Sequence, residues 1–243
     1  MRICIIQSPY IPWRGFFDLI SRCDEYVVYD SAQFVKRHWH NRNRIKTASG
    51  AEWLTIPVAT KGRFTQPLEE VRIAAPWAEQ HWRSLELAYR RAPFFDSYAP
   101  LVRGWYERAE SLDLLTDVNL LFLREISQTL GITTRIIRDS VYEATGAKTE
   151  RLVAIARAAR ASYYLSGPSA RAYLEEDPFA AAGIGLEWMA YDNYARYPQL
   201  HGEFDGAVTV LDLLFNTGPD ATRLIRTSAP KDPSLGDSAE APG

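Results

Sequence analysis

The first thirty residues alternate short apolar runs with polar loops in the order strand, loop, helix, strand. Residues 2–7 are mostly apolar and β-branched, and Ser8-Pro9 ends the run, which predicts a strand buried on both faces of a sheet. Two prolines keep the following loop irregular, and a helical apolar pattern begins at Phe16. Residues 25–29 predict a second strand. Two strands joined through a helix predict a βαβ unit, in which the strands are parallel.

The remaining pattern predicts more strands, with helices between them. Apolar side chains recur with a helical period between residues 77 and 130, with a break at Ala92-Pro93, so this segment should form at least two helices. Thr149 is the predicted N-cap of a further helix, and Gly218 the predicted end of another. Strands are predicted at 53–58, 71–73, 134–137, 163–165 and 185–188, and helices at 149–159, 170–175 and 208–215.

This order of elements predicts the fold class and the domain boundaries. We expect an α/β fold with a mostly parallel central sheet and a helical insertion at about 77–130. One α/β domain should span residues 1–226. Residues 227–243 are rich in Pro, Ser, Ala and Asp without periodicity, which predicts a disordered tail.

Composition and charge narrow the classes of function. The chain has 243 residues, of which 47% are hydrophobic and 24% charged, and its net charge is −2. That balance is typical of a globular protein and argues against a nucleic-acid partner. Cys4 and Cys23 are too few for a disulfide framework and match no metal-ligand spacing, so we expect a reducing, cytoplasmic location and no metal site. No apolar stretch approaches the ~20 residues of a membrane span.

A basic stretch at residues 33–46 is the most unusual part of the sequence. From residue 36 onward, five cations share eleven positions with two histidines, a tryptophan and two asparagines. Such cations are costly to bury unpaired, and the interleaved Trp and Asn favour a shaped cavity that receives an anion; a basic surface loop is the alternative. The predicted substrate-binding residues here are Gln33, Lys36, Arg37, Trp39, Asn41, Arg42, Asn43, Arg44 and Lys46.

Other polar residues are predicted to line the same cavity, because the carboxyl ends of parallel strands meet at one edge of a sheet. The loop at 166–169 has the chemistry of a second anion cradle, since it combines small residues with hydroxyl and backbone donors. The long aromatic loop at 191–204 has the length of a functional loop. The predicted members are Gln7, Tyr10, Trp13, Asp30, Ser166, Gly167, Ser169, Tyr197 and Gln199.

Four residues are candidates for catalysis. His40, His81 and Asp30 could take up a proton, and Ser166 could help to polarise a carbonyl. His81 lies on an aromatic helical stripe, which is also typical of a half-buried histidine, and Asp30 could instead pair with an arginine. Ser166 lacks the Gly-x-Ser-x-Gly elbow and the neighbouring histidine that would favour a nucleophile.

Four motifs resemble the WbqC-like protein family, in order from Met1 to about Gly218. They are IIQSPYIPWRGFFD from Ile5, the stretch Gln33–Lys46, YLSGPSARAYL from Tyr164, and Tyr197-Pro-Gln with Leu211-Asp-Leu-Leu-Phe-Asn. Many relatives have His where Ile6 stands and Asn where Pro9 stands. A histidine base at position 6 is therefore not available to this chain.

The resemblance implies a biosynthetic role. Members of the family tend to be encoded in surface-polysaccharide (O-antigen) and natural-product clusters, in which amines acquire acyl or aminoacyl groups. We therefore expect an enzyme that forms an amide by transferring such a group from a carrier or CoA thioester to an amine. Arg42, Arg44 and Lys46 would hold a phosphate on the donor.

Two other functions fit the same sequence. An ATP-dependent adenylating ligase is suggested by analogy with the pantothenate-synthetase and nucleotidylyltransferase folds, although their H-x-G-H histidines are missing. A non-catalytic subunit that binds a sugar nucleotide or a carrier protein is the alternative from another class. The expected partners are a small molecule with an anionic or phosphate handle and an acyl carrier protein. The sequence identifies no cofactor.

Overall fold

The computed structural model describes residues 1–227, and a five-stranded parallel sheet lies at its centre. The seven strands are β1 (Arg2–Ile6), β2 (Glu25–Val28), β3 (Arg42–Thr47), β4 (Gly50–Thr55), β5 (Arg135–Arg138), β6 (Tyr163–Ser166) and β7 (Gly185–Trp188). The sheet order is β5-β2-β1-β6-β7, and every pair in it is parallel. The predicted α/β fold with a parallel central sheet is therefore confirmed.

Eight α-helices surround the sheet within the described residues. They are α1 (Arg14–Ser21), α2 (Ala78–Tyr89), α3 (Phe95–Ala109), α4 (Leu115–Thr129), α5 (Lys148–Ala158), α6 (Asp177–Ala181), α7 (Val210–Thr217) and α8 (Ala221–Leu224). Short 3-10 helices occupy Leu68–Glu70, Asp139–Val141, Pro168–Ala172 and Gly218–Asp220. No helix of residues 1–227 is long and apolar enough to cross a membrane.

Alternate side chains of the central strands point to two different apolar layers. Ile3, Ile5 and Val27 pack in a layer that includes residues of α5 and α6. Cys4 and Tyr26 point the other way, into a larger layer formed by α1, the helical insertion α2 to α4, the hairpin and α7. This double-sided burial explains why β1 and β2 are continuous apolar runs in the sequence.

The helical insertion, its internal break and the predicted helix end at Gly218 agree with the structure. Three helices, α2 to α4, occupy residues 78–129, and the break between the first two includes Ala92-Pro93 as predicted. Gly218 ends α7 with φ of 56°, and a Cβ added there would lie 2.4 Å from the Phe94 ring. Only glycine fits this left-handed position without a clash.

The prediction for residues 53–58 was wrong in its limits and missed its partner strand. β4 ends at Thr55 and pairs antiparallel with β3, in register from Arg42 opposite Thr55 to Thr47 opposite Gly50. The basic stretch therefore forms one strand of a hairpin. The predicted strand at 71–73 is absent, because Ile73 and Arg72 make only isolated bridges, to Val58 and Leu114.

Two predicted helices also differ from the structure. The segment predicted as a helix at 170–175 is a 3-10 helix at Pro168–Ala172. Thr149 is not the N-cap of α5, since Ala147 takes that position; the Thr149 hydroxyl instead accepts the Glu175 amide at 3.3 Å. The final long helix is shifted to Val210–Thr217, with Thr209 as its cap. Of the predicted tail, residues 228–243 lie outside the described residues.

Candidate functional site

The order of the parallel strands reverses between β1 and β6, the position at which open α/β sheets bind their ligands. β1 pairs with β2 over four residues, but with β6 only at Arg2 and Ile3. Farther along, the Tyr164 hydroxyl donates to the backbone carbonyl of Ile5 at 3.3 Å. The two strands are thus paired only near their amino ends, and the segments after β1, β2 and β6 begin at this edge.

Asp30, just after β2, is held by three hydrogen bonds. Its carboxylate accepts the Ser8 amide at 2.8 Å, the Ser8 hydroxyl at 2.6 Å and the Thr116 hydroxyl at 2.5 Å. Only 1% of Asp30 is exposed. Burial raises the pKa of Asp30, although the donors on Ser8 and Thr116 act in the opposite direction. The aspartate therefore joins the loop after β1 to α4, and its oxygens are already engaged.

His40 lies beside this cluster and has one unused ring nitrogen. Its Nδ1 atom is 3.4 Å from the Ser8 carbonyl oxygen, while Nε2 is buried and has no partner among the described residues. Burial, reinforced by the neighbouring His38, lowers the pKa of His40 to about 4, so the imidazole is neutral near pH 7. With Nδ1 protonated and donating to Ser8, Nε2 has a free lone pair.

Asn41 and Asn119, next to His40, and Gln66, which bonds to Ala59, also have buried amide oxygens without partners. The Nδ2 atom of Asn119 donates to the carbonyls of His40 and Ser8 at 2.9 and 3.1 Å. Asn41 donates to the Ile56 carbonyl at 2.9 Å, and Gln66 to the Ala59 carbonyl at 3.2 Å. Because each nitrogen contacts a carbonyl, each amide oxygen must point the other way. The buried atoms without a partner here are Nε2 of His40, Oδ1 of Asn41, Oε1 of Gln66 and Oδ1 of Asn119.

Tyr10 and His81 form a different network, within the helical layer. The Tyr10 hydroxyl lies 2.9 Å from Nδ1 of His81 and 2.7 Å from the Tyr106 hydroxyl. Burial lowers the pKa of His81 to about 4, with the Thr55 carbonyl opposing the change. Tyr10 has no exposed surface and His81 has 5%. Catalysis by His81 and ligand binding by Tyr10 stay predictions, but both side chains contact the core of α2 to α4.

Asn43, Arg44 and Lys46 of the basic stretch fasten the hairpin to neighbouring segments. Asn43 donates to the carbonyls of Tyr10 and Ile11 at 3.1 and 3.0 Å. Arg44 donates to the Ala207 carbonyl at 2.8 Å. The Lys46 ammonium, which is buried, donates to Gln199 Oε1 at 2.7 Å and to the backbone carbonyl of Glu203. These donors already have acceptors, so the phosphate role predicted for Arg44 and Lys46 has no added support from their contacts.

We define the exposed aromatic–cationic surface as five residues of the basic stretch together with Trp53 of β4 and Phe64; the five are Val35, Lys36, Arg37, Trp39 and Arg42, of which Arg42 is half-buried. The Arg42 guanidinium lies 4.2 Å from the centre of the Trp53 ring, and the Trp39 ring lies 5.3 Å from the same ring. Arg42 also donates to the Arg37 carbonyl. Lys36 and Arg37 are exposed, so their charges face solvent.

The loop after β6 presents one hidden and two accessible predicted residues. Ser166 is 3% exposed, and its backbone carbonyl accepts the Met189 amide at 2.8 Å. Gly167 is half-buried next to the Tyr191 hydroxyl, and Ser169 is exposed. Their predicted role as an anion cradle stays a prediction, as does a single cavity shared with the basic stretch.

Gln7 and Gln33 use their amide groups to organise the loops around the surface. Gln7 donates to the carbonyls of Ala32 and Gln33 at 3.2 and 3.1 Å. Gln33 in turn donates to the Phe64 carbonyl at 2.9 Å. Both side chains are therefore engaged with backbone near the carboxyl end of β2, and their predicted contact with substrate stays untested.

The loop at 191–204 is held by a second buried polar cluster, centred on Asp212. Asp212 accepts the Tyr197 hydroxyl and the Gln199 amide, each at 2.7 Å. Burial raises the pKa of Asp212, against the opposing effect of its donors. Trp13 meets Tyr191 and Tyr194 edge to face, with ring centres 5.1 and 5.6 Å apart. The side chains of Tyr197 and Gln199 thus contribute to holding this loop against α7.

Sequence reasoning missed several polar residues that build the site. Ser8, Thr116 and Asn119 supply contacts around Asp30 and His40. Arg14 was also missed; it is buried, it donates to the Ala195 carbonyl at 2.7 Å, and it lies 4.7 Å from the centre of the Tyr194 ring. The available signal was a polar residue at an apolar position, as with Asn119 between Val118 and Leu120.

Comparison with known proteins decides the family. A model of the WbqC-like protein family matches residues 7–224. The chain belongs to the WbqC-like protein family. "Uncharacterized protein Rv1507c" of Mycobacterium tuberculosis (strain ATCC 25618 / H37Rv) is 46% identical over 228 residues, which cover 93% of this chain and 97% of that protein. No solved structure matches the chain significantly.

The motif resemblance implies a histidine at position 6 in many relatives. In this chain Ile6 is the last residue of β1, is half-buried and packs against the larger apolar layer. It supplies no titratable group at the strand end. Asp30 and His40, which both contact Ser8, are the titratable residues found next to this loop. Within residues 1–227, no cluster of His, Cys, Asp or Glu has the arrangement of a metal site.

Proposed function

We propose that this WbqC-like protein forms an amide by transferring an acyl or aminoacyl group from a thioester to an amine. The amine nitrogen attacks the thioester carbonyl, the C–N bond forms, the C–S bond breaks, and the thiol leaves. The proton released from the amine passes to a base, and a proton reaches the leaving sulfur. The thioester is already activated, so this route needs no ATP.

The observation that supports this proposal most directly is the free Nε2 lone pair of His40. Burial lowers the pKa of His40 to about 4, which keeps the ring unprotonated at neutral pH. A weak base of this kind can still take a proton from the tetrahedral intermediate, because an ammonium attached to that carbon is more acidic than the ammonium form of the free amine. The Ser8 carbonyl, 3.4 Å from Nδ1, would orient the ring.

The amide oxygens near His40 support an amine as the acceptor substrate. Asn41 and Asn119 each have a buried oxygen without a partner, and both residues are more than nine-tenths buried. Such oxygens accept N–H groups but offer nothing to a carboxylate or phosphate. An amine nitrogen bound near them would have its hydrogens paired and its lone pair left for attack on the thioester.

The free cations of the basic stretch support a donor with a phosphate. CoA and carrier-protein thioesters share a phosphopantetheine arm, whose phosphate is anionic. Lys36 and Arg37 are exposed, and the half-buried Arg42 has its guanidinium 4.2 Å from the centre of the Trp53 ring. A stacked guanidinium keeps N–H donors free at its edge, which suits a phosphate.

The test compares donors directly. The protein is incubated with acyl and aminoacyl thioesters, or with the corresponding acids plus ATP, together with amino-sugar and other amine acceptors, and products are followed by mass spectrometry. Amide formed from a thioester without ATP is the expected result. Release of AMP or pyrophosphate from the acid plus ATP would refute thioester transfer in favour of adenylation. No product with either donor would favour a binding subunit.

A pair of histidine variants locates the base. His40→Gln should reduce kcat by at least ~100-fold, which is the lower end of what a general base contributes. His201→Gln is the matched control, since His201 is half-buried elsewhere and lies 2.8 Å from the Ala88 carbonyl oxygen. Thermal unfolding confirms that both variants are folded. Full activity in a folded His40→Gln variant would eliminate His40 as the base.

Adenylation is the second candidate function, and the strand order of the central sheet supports it. Numbered along the chain, the parallel strands have the order 3-2-1-4-5, which is the order of mononucleotide-binding α/β folds. β1 and β6 are paired only near their amino ends, and nucleotides bind to such folds between the carboxyl ends of the corresponding strands. ATP binding by calorimetry, combined with pyrophosphate release in the presence of an acid, would establish this function.

A further inference from the structure

The segment between residues 36 and 63 contains cations that form no ion pair within residues 1–227. Eight ion pairs form within residues 1–227, and their cations are Arg2, Arg22, Arg83, Arg103, Arg108, Arg135, Arg138 and Arg151. None of the cations between 36 and 63 is among them in this part of the chain; these are Lys36, Arg37, Arg42, Arg44, Lys46, Lys61 and Arg63. Ion pairing is thus common elsewhere in the described residues but absent from this segment.

The same surface exposes large apolar side chains. Phe64 is 73% exposed, Val35 51%, Trp53 46% and Trp39 42%. Lys36 lies 5.1 Å from the centre of the Phe64 ring, and Arg42 lies 4.2 Å from that of Trp53. Clustered aromatic residues with arginine are typical of the centre of protein–protein interfaces.

The shape of the surface favours a macromolecule over a small ligand. Small ligands bind in concave sites that cover most of their area. Here the aromatic rings project from the outer face of the hairpin and from adjacent loops, and about half or more of Trp53, Val35 and Phe64 faces solvent. Free CoA laid on such a surface would stay largely uncovered. A partner with its own acidic and apolar surface would cover both the rings and the cations.

We propose that the exposed aromatic–cationic surface docks an acidic carrier protein, which delivers the thioester on its phosphopantetheine arm. This inference rests on the proposed acyl transfer. The surface lies next to the candidate base along the chain, because Trp39 precedes the buried His40 and the Tyr10 amide donates to the Trp39 carbonyl at 3.0 Å. The arm of a docked carrier would therefore begin beside the loop that holds His40.

Nucleic acid is the competing polyanion, and the total charge disfavours it. The chain has 30 acidic and 28 basic residues, so an extended phosphate backbone would meet mostly unfavourable charge away from this surface. A compact acidic protein contacts the cationic region alone.

The experiment measures binding separately from turnover. The full chain is titrated by calorimetry with holo and apo carrier proteins of the fatty-acid-synthase and peptide-synthetase types, with CoA, and with an oligothymidylate. We expect a holo carrier to bind, and to bind at least ~10-fold more tightly than CoA, a difference of ~1.4 kcal/mol. Binding should weaken as salt is raised. Binding by none of the carriers would overturn the inference, and binding of the oligothymidylate alone would replace it with a nucleic-acid site.

Matched variants test the surface itself. Arg42→Glu and Trp53→Ala should each weaken carrier binding by at least ~10-fold. The controls are Arg157→Glu on α5, an exposed cation at the opposite layer of the sheet, and Leu87→Ala on α2, where the side chain is 70% exposed. Surface variants that bind the carrier as tightly as the controls would contradict the assignment.

The two proposals fail in different ways. Turnover of acyl-CoA without carrier binding would refute the docking surface and leave acyl transfer in place. Carrier binding that depends on Arg42 and Trp53, but without transfer from any loaded carrier, would support the surface and refute the proposed reaction. Equal kcat/KM for acyl-CoA and the acyl carrier would also refute a dedicated docking role.

Discussion

Acid should destabilise the fold through its two buried histidines. Burial lowers the pKa of both His40 and His81 to about 4, whereas an exposed imidazole titrates near 6.5. Below pH 6.5 the unfolded chain takes up a proton at each position, while the native state does not. The stability that depends on these neutral rings is therefore complete above 6.5 and is lost as the pH falls to about 4.

The size of the loss in stability follows from the difference between the usual histidine pKa of 6.5 and the native value of about 4. One pH unit is worth ~1.4 kcal/mol per titrating group, so the interval from 6.5 to about 4 is worth ~3.4 kcal/mol for each histidine and ~7 kcal/mol for the pair. A typical domain has ~5–15 kcal/mol of stability in all. Asp30 and Asp212 offset part of this loss, because burial raises the pKa of both, so these carboxyls take up protons at higher pH in the native state than in the unfolded chain.

Urea unfolding at a series of pH values between neutrality and about 4 measures the effect. The free energy of unfolding should fall steeply with pH in the parent protein. In His40→Gln and His81→Gln the slope should be smaller, by up to ~1.4 kcal/mol per pH unit for each histidine removed. NMR titration of the imidazole signals gives the two pKa values independently. Slopes that are the same in both variants as in the parent, or imidazoles that titrate near 6.5, would refute this reasoning.

Three further substitutions test the cluster and the cysteines. Asp30→Ala should lower the free energy of unfolding by ~2–4 kcal/mol in urea, because the buried Ser8 amide loses its acceptor; a loss below ~1 kcal/mol would contradict this. Asn43→Ala should lower the free energy of unfolding by ~2–3 kcal/mol, since two buried carbonyls lose their donor beside Ile11, whose φ is 35°. Unchanged stability would show that the Asn43 hydrogen bonds to Tyr10 and Ile11 are unimportant. Cys4→Ala with Cys23→Ala should keep the proposed acyl-transfer activity, because burial raises the pKa of the Cys4 thiol well above its usual value; an inactive but folded double variant would indicate a covalent thioester.

The central sheet could be predicted from the sequence because its strands are short apolar runs. β1 and β2 are buried on both faces, so almost every position in them is apolar. The same pattern also predicted the loops at the carboxyl ends of β1 and β2. Asp30 and the basic stretch were placed near one edge of the sheet on this argument alone.

The hairpin could not be predicted in the same way, because partners distant in sequence bury its polar side chains. In β3 the core-facing residues are Asn43 and Ile45, and the apolar signal is one residue long. Asn43 is buried because it pairs with carbonyls more than thirty positions earlier, and Lys46 because Gln199 covers it. The hydrophobic periodicity of the β3 segment gives no indication of either partner.

The same limit applies to the candidate site. Asp30 and His40 were found because a charged residue at a strand end and a histidine in a basic stretch are conspicuous. Thr116 and Asn119 were not found, since one polar residue in an apolar helical pattern is compatible with exposure. Asn119 contacts Ser8 and Thr116 contacts Asp30, and both partners are distant in the sequence, 111 and 86 positions away.

The geometry also explains why β1 tolerates an apolar residue, Ile6, at its last position before the loop. The backbone and hydroxyl of Ser8 are fixed from three directions, by Asp30 after β2, by Asn119 on α4 and by His40 before the hairpin. None of these contacts uses the side chain of Ile6, whose carbonyl accepts the Tyr29 amide in the normal strand continuation. A histidine at position 6 would add a titratable group to this edge without being needed to build it. In this chain the imidazole at the same edge instead comes from the segment that leads into the hairpin, which joins the candidate base to the surface proposed to dock a carrier protein.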